Sequence, residues 1–364
     1  MKKIILFFSA IFLSVIAFSQ SGYFYVSGKV IDADTKAPMQ SASVFAQNTT
    51  IGTPTDAQGN FTLQLPNGGY DLVVTFTDYT TEIKRVSSSD TSNRNIVIEI
   101  KQKDKAMEAV AIVSSSEVKD GWARYGYFFI DNFIGKTLFS SDCHLLNPEV
   151  LKFYFSKKLN RLKVRASAPV EIRNDALGYK IKYELDSFTY NYGTQTTLFT
   201  GYPLFEEMKA TDDTQQKRWN VNRLQAYNGS ILHFMRSVYN KTLKDEGFEI
   251  QFIVNNDGRD TAIKVKDFYG ALNYNKDDSI QTVEIKPNQQ NVAIIYGNEQ
   301  PEKNYLEEVD NNAPEKYQLS VISVAHPITI EQNGYFYDQD DITITGYWTW
   351  EKVGDMVPYD YMPQ

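Results

Sequence analysis

Over residues 23–100 apolar positions recur in short alternating runs, and turn-forming residues separate the runs. Residues 23–31 alternate, which predicts a strand with one buried face. Asp32-Ala-Asp-Thr-Lys36 follows as a turn. Residues 42–47 predict a second strand, and Gly52-Thr-Pro-Thr55 a bend. Residues 60–65 set Phe61, Leu63 and Leu65 on one face. The hairpin turn before them is Asp56-Ala-Gln-Gly59. Gly59 can take positive φ there, and the Asp56 carboxylate can accept from the turn backbone. Pro66-Asn-Gly-Gly69 is another turn, and runs at 70–77 and 95–100 complete the set. The spacing predicts a sandwich of about seven strands.

Past Glu117 the period changes. Trp122, Tyr125, Phe129 and Phe133 share a helical face, and Gly135 closes the helix. Residues 150–155, 162–167, 177–192 and 195–205 read as strands, the last two joined at Tyr192-Gly193-Thr194. Two helices are predicted next. One covers 211–226 and opens at Thr211-Asp-Asp213; the other covers 230–244 and is closed by Gly247. Strands return at 249–254, 262–268, 281–286, 291–296, 317–324, 327–331 and 341–350. The predicted fold is mainly β, a sandwich followed by an α+β region with antiparallel sheet and about three helices. The expected divisions are a sandwich at 22–101, a charged and Ser-rich linker at 102–116, a helix-bearing unit at 117–247 and a β-rich unit at 248–364. Residues 358–364 read as an extended tail.

Gly28-Lys-Val-Ile-Asp32, Ala37-Pro38, Ala42-Ser-Val44 and Thr55-Asp-Ala-Gln-Gly-Asn-Phe61 together resemble the carboxypeptidase regulatory-like domain. The resemblance implies a transthyretin-like sandwich, common in exported proteins of the Bacteroidota, that is a structural appendage without peptidase activity. Met107-Glu-Ala-Val-Ala-Ile-Val113 resembles the segment that follows this domain in TonB-dependent receptors. A last edge strand is the alternative reading of that segment. From Trp122 onward the layout is similar to other Bacteroidota proteins in which a helix-bearing β-region follows the sandwich, and that likeness carries no activity.

Lys2 and Lys3, the apolar run at 4–18 and Ala17-Phe18-Ser19 predict a signal peptide at 1–19. The run is short of the roughly 20 residues that a membrane helix needs, and no second run of that length follows. An uncleaved anchor is the alternative. The expected location is the periplasm or the outer-membrane surface, with no transmembrane span after cleavage. The net charge of −8 lacks the basic footprint of a nucleic-acid binder. Cys143 is the lone cysteine, so no internal disulfide forms; it reads as a small buried hydrophobe. The 24 Tyr and 22 Phe favour strands and aromatic cores.

Catalytic chemistry is hard to assemble from this chain. His144, His233 and His326 are the only histidines, and none begins a His-x-x-Glu or His-Glu-x-x-His pattern. No metal or cofactor is expected. Gly-x-Ser-x-Gly is absent, and so is a phosphate-binding loop. Ser230 and His233 are helical neighbours, and Ser230 reads as a helix cap. Asp338-Gln-Asp340-Asp341 lacks the Gly and closing Glu of an EF-hand loop and reads as a solvated turn. No catalytic residue is assigned.

Two groups are candidates for ligand binding. On the helix predicted at 230–244, His233, Arg236 or Ser237, and Asn240 form a polar stripe, and Arg223 and Tyr227 sit just before it. It is a solvated or ion-paired face, or a pocket in which the two arginines hold an anionic group. Trp348 and Trp350 alternate, which sets both indoles on one face for core packing or as a glycan-stacking platform. The resulting expectation is an exported, envelope-associated, non-catalytic protein. Its sandwich is an adhesive or spacer module, its remainder binds a ligand or partner, and the partner classes are a glycan or an envelope protein. The alternatives are a hydrolase and an accessory subunit of an outer-membrane nutrient-uptake system.

Overall fold

The computed structural model of the chain describes residues 22–104, 116–256, 258–337 and 339–363. The expected signal peptide, the Met107–Val113 segment and most of the expected linker lie outside the described residues. The fold is mainly β, with a sandwich first and an α+β region after it.

The sandwich pairs a three-stranded sheet, order β4-β1-β7, with a four-stranded sheet, order β3-β2-β5-β6. Its strands are β1 (Tyr23–Asp32), β2 (Ser43–Ala46), β3 (Gly52–Pro54), β4 (Asn60–Pro66), β5 (Gly69–Thr75), β6 (Glu82–Ser87) and β7 (Ile96–Ile100). Val26, Val30, Val44, Leu65 and Leu72 fill the core between the sheets. The predicted bend at Gly52 is a short edge strand, because Val44 and Phe45 of β2 pair with it. Strand β6 was not predicted. It is an edge strand with mostly exposed residues, so it carries no apolar alternation.

Two local devices set the sandwich register. Asp56 accepts from the amides of Gln58 and Asn60, both at 2.8 Å, and Gly59 sits at φ 78°. Gly28 lies where β1 runs parallel to β7; a Cβ there would stand 2.2 Å from the Ile96 oxygen, so only glycine permits this approach.

A seven-stranded sheet follows, with β8 (Ser116–Glu117), β9 (Cys143–Leu145), β10 (Leu151–Ser156), β11 (Arg161–Ala166), β12 (Val170–Asn174), β13 (Tyr179–Asn191) and β14 (Thr196–Glu207). Helix α1 (Gly121–Phe133) lays Phe129 and Phe133, both fully buried, against Phe153, Tyr183, Phe188 and Phe199. Burying each such side chain contributes about 1.5–3 kcal/mol. Cys143 is half-buried beside this core, and burial raises its thiol pKa, as expected of an inert thiol.

Helices α2 (Asp213–Tyr227) and α3 (Ile231–Asn240) link this sheet to the last part of the chain. Asp212 caps α2 and Ser230 caps α3 through their side-chain oxygens. Helix α3 ends earlier than predicted, because Lys241 turns left-handed at φ 59°. Gly247 sits in the turn before the next strand.

The remaining strands are β15 (Phe248–Asn256), β16 (Arg259–Lys264), β17 (Asn275–Asp277), β18 (Thr282–Ile285), β19 (Asn291–Tyr296), β20 (Gln318–Val324), β21 (Ile328–Glu331) and β22 (Ile342–Gly346). Two short helices lie among them, α4 (Phe268–Ala271) and α5 (Lys303–Glu308). The strands form sheets ordered β16-β15-β19-β20-β22 and β17-β18-β21. Phe234, Met235 and Val238 of α3 share a core with Phe248, Ile294 and Ile322, so the packing runs across Gly247.

The C-terminal segment departs most from expectation. Rather than an extended tail, it is a strap that hydrogen-bonds to both the sandwich and helix α3. The Tyr359 amide donates to the Asn48 oxygen at 2.6 Å, and the Thr50 amide to Asp360 Oδ1 at 3.0 Å. Arg236 of α3 donates to the Tyr359 and Tyr361 carbonyls. The sandwich is therefore docked, not free-swinging. The Asn48 amide donates to the Pro203 oxygen at 2.7 Å, and the Gly69 backbone exchanges hydrogen bonds with the Asn333 amide.

Candidate functional site

The predicted polar stripe does not converge on an open site. Arg223 is buried; its Nε donates to the Leu177 oxygen at 2.7 Å, Nη2 to the Gly178 oxygen at 3.2 Å and Nη1 to Glu207 at 2.9 Å. Its guanidinium lies 4.0 Å from the Tyr179 ring. Arg236 donates to three carbonyls, those of Asn333 at 2.9 Å, Tyr361 at 2.9 Å and Tyr359 at 2.8 Å. A buried guanidinium must satisfy its donors, and here chain oxygens from distant segments do so. Arg236 is thus engaged by main-chain oxygens, and the anionic group held by Arg223 is the chain's own Glu207 carboxylate, beside a hollow of about 300 Å³ that Arg223 lines.

Tyr227 and His233 do meet, with ring centres 4.7 Å apart. The Gly229 amide donates to His233 Nδ1 at 3.1 Å, so Nε2 carries the proton and faces Glu246 Oε2 at 3.2 Å. Burial lowers the His233 pKa, with Glu246 opposing, and burial raises that of Tyr227. Ser230 Oγ donates to the Tyr227 oxygen at 2.6 Å and accepts from the His233 amide, as a cap does. These residues pin the α2–α3 corner.

The two tryptophans do not share a face. Gly346, at φ 82°, ends β22, and Tyr347–Thr349 form a 3-10 turn, so strand alternation stops before the indoles. Trp348 packs on Phe234 and donates to the Gly229 oxygen at 2.7 Å. Trp350 is buried against Tyr305 and donates to Glu302 Oε2 at 3.1 Å. A flat stacking platform made from this pair is excluded by that geometry.

Two neighbouring hollows, treated below as two lobes, share wall residues near α2, α3 and the strap. One lobe, of about 250 Å³, is mostly apolar, with Phe199, Ile231, Leu232, Phe336, Trp348 and Met356 in its wall. The other, of about 320 Å³, is lined by Glu299, Glu302, Glu351 and Asp355, with Gln225 and Gln318. Ala226, Glu351 and Asp355 line both. No Lys, Arg or His lines the acidic lobe among the described residues. Lys352 lines the apolar lobe, and its Nζ is engaged by the Thr349 oxygen at 2.9 Å.

The four carboxyl groups differ in their partners. Glu302 accepts from the Leu138 amide and from Trp350. Asp355 accepts from Thr137 Oγ1 at 2.6 Å and the Lys352 amide at 3.1 Å, and burial outweighs these bonds to raise it to about 7. Burial also raises Glu299 to about 7, against the Asn228 and Gln318 side chains that favour its charge. Glu351 accepts no hydrogen bond among the described residues. Burial, then Asp355, lifts its pKa well above the carboxylate range. Gln318 is 5% exposed, and its Oε1 has no hydrogen-bond partner among the described residues.

Sequence reasoning missed this group because its members come from two distant stretches. Glu299 and Glu302 lie three apart, and Glu351 and Asp355 four apart. Nothing local joins the pairs. No cluster of His, Cys, Asp and Glu among the described residues has the geometry to hold a metal ion.

The sandwich contributes Asn48 to the wall of the apolar lobe. A family match spans residues 26–112. The sandwich is a CarboxypepD_reg-like domain. The family is a typically non-catalytic β-sandwich, and residues 117–364 lie outside the match. A search of curated proteins finds no match. Among solved structures, a crystal structure of a 9R-lipoxygenase from Cyanothece PCC8801 aligns at 8% identity, covering 60% of this chain and 48% of that one. The aligned part is thus about half of that protein's length. Its TM-score of 0.17 carries no argument about fold or chemistry. In this chain the CarboxypepD_reg-like domain is a docked wall: Asn48–Thr50 holds the strap that closes the apolar lobe.

Proposed function

We propose that this is an exported, envelope-associated, non-catalytic protein that binds a small amphipathic ligand in the two-lobed hollow. The observation that carries the reading is the juxtaposition of an apolar lobe with a lobe of carboxyl groups across Ala226, Glu351 and Asp355. Binding sites are concave, largely apolar and furnished with a few convergent polar groups of perturbed pKa. The lysine-led apolar run before Ala17-Phe18-Ser19 supports export.

Two carboxyl groups near pKa 7 also suit acid–base catalysis, which keeps the hydrolase reading in view. Asp355 argues against it, because Thr137 and the Lys352 amide engage both its oxygens, while proton transfer needs a group free to reach substrate. A glycan or an envelope protein remains the class of partner for the assembly as a whole.

Fluorescence titration with the neutral probe N-phenyl-1-naphthylamine tests the binding reading. The wild-type chain is expected to bind it saturably. Ala226→Leu and Ala226→Phe, which fill the junction of the lobes, are expected to weaken binding while far-UV circular dichroism is unchanged. Absence of saturable binding to the folded chain, or equal binding by both folded variants, overturns the reading.

A further inference from the structure

We propose that the face of the seven-stranded sheet turned away from α1, with the β10–β11 turn at its end, docks on a bilayer that carries anionic phospholipid. The inference rests on the envelope-associated part of the reading above and is independent of the hollow.

Strand register builds the face. Phe153, Leu162 and Val164 point into the core under α1. Side chains alternate across a strand, so Lys152, Arg161, Lys163 and Arg165 stand on the opposite face. Register sets Lys152 beside Arg165, and Lys163 beside Tyr154. Lys157 and Lys158 lie in the turn that joins β10 to β11. Arg161 is half-buried and the other five cations are exposed. Residues 151–166 hold no acid, in a chain whose net charge is −8. None of the six cations forms an ion pair among the described residues. Acids border the face at Glu117 of β8, opposite Tyr154, and at Asp186 beside the β13 bulge. Cations gathered this closely repel one another, and an anionic surface neutralises them.

Two apolar side chains choose the partner. Leu159, 54% exposed, follows Lys157-Lys158 in the turn. Leu198, 67% exposed, lies on the same face, in register with Thr189 and through it with Lys163. Exposed leucines gain nothing from a soluble polyanion such as a sulfated glycan. At a bilayer surface the cations meet lipid phosphates, and apolar side chains enter the boundary between headgroups and acyl chains.

Flotation of the full chain with vesicles tests the assignment. Vesicles of phosphatidylglycerol and phosphatidylcholine in equal parts are expected to bind about tenfold or more tighter than phosphatidylcholine alone, and the difference to vanish at about 0.5 M salt. Lys157→Glu with Lys158→Glu is expected to lower the affinity about tenfold. Lys163→Glu with Arg165→Glu carries the same expectation and serves if the first pair does not fold. Lys303→Glu on α5, where the side chain is 84% exposed, is expected to change nothing. Leu159→Ser and Leu198→Ser are expected to weaken vesicle binding and leave dextran sulfate binding unchanged. Equal affinity for the two kinds of vesicle overturns the proposal, as does wild-type affinity in both charge-reversed pairs. Binding of dextran sulfate without vesicles, or leucine variants that bind vesicles like the wild type, overturns the bilayer as the partner. A chain that fractionates with the cell envelope yet ignores the vesicles overturns this inference alone. One that does neither overturns the envelope reading with it.

Discussion

Arg236 Nη2 donates to the main-chain oxygen of Tyr359 at 2.8 Å, and through that bond helix α3 holds the strap over the apolar lobe. The same guanidinium serves Asn333 and Tyr361. Arg236→Met would leave three carbonyls without their donor. The expected loss is about 3–5 kcal/mol of unfolding free energy in urea. Arg236→Lys is expected to recover only part of it, since an ammonium lacks the planar fork. A loss under about 1 kcal/mol for the Met variant would mean that the strap is held by something else.

Shortening the chain tests the strap from its other end. Stopping after Val357 removes the Asp360 contacts to Thr50 and the carbonyls on Arg236. The truncated chain is expected to melt several degrees lower and to be cut faster by protease near residues 48–50. An unchanged melting temperature would show that the segment is incidental to the fold.

The buried carboxyl groups give stability a definite slope with pH. Burial raises Glu299 and Asp355 to about 7, and raises Glu331 and Glu351 above their ordinary value. An acid with a higher pKa when folded binds more protons folded than unfolded, so stability falls as pH rises through that window. The thermal midpoint is expected to fall from about pH 5 to pH 8. His233 acts oppositely: burial lowers it below 6.5, so its contribution is lost as pH falls past that value. Replacing Glu299 and Asp355 by their amides is expected to flatten the slope. A midpoint that climbs over the same interval would contradict the assignment of these groups as buried acids.

Gly28→Ala tests the close approach of β1 and β7. The added Cβ would stand 2.2 Å from the Ile96 oxygen and 2.9 Å from the Phe61 ring. Backbone must move, and the expected cost is about 1–3 kcal/mol. Gly22→Ala, with nothing within 4 Å, is the control and is expected to be neutral. Chemical denaturation of both variants checks the difference.

How much of this was legible in the sequence depends on range. Phe61, Leu63 and Leu65 alternate and are buried, and Trp122, Tyr125, Phe129 and Phe133 mark α1, because a half-buried element imprints its period on its own residues. Strand β6 left no imprint, since it is an edge with few buried positions. The His233 partner, Glu246, lies thirteen residues on and past the end of α3, beyond any local spacing rule. Trp348 and Trp350 misled because one left-handed glycine, Gly346, ends the strand that their alternation implied. The hollow was least legible. It is built where three distant stretches meet, and its carboxyl groups are joined only by tertiary packing.

Hydrogen–deuterium exchange with and without N-phenyl-1-naphthylamine tests the central claim most directly. The hollow lies between the α2–α3 corner and the strap, so protection is expected to concentrate at residues 225–236 and 348–359. Protection confined to the outer faces of the sandwich, with those two stretches unchanged, would contradict the account.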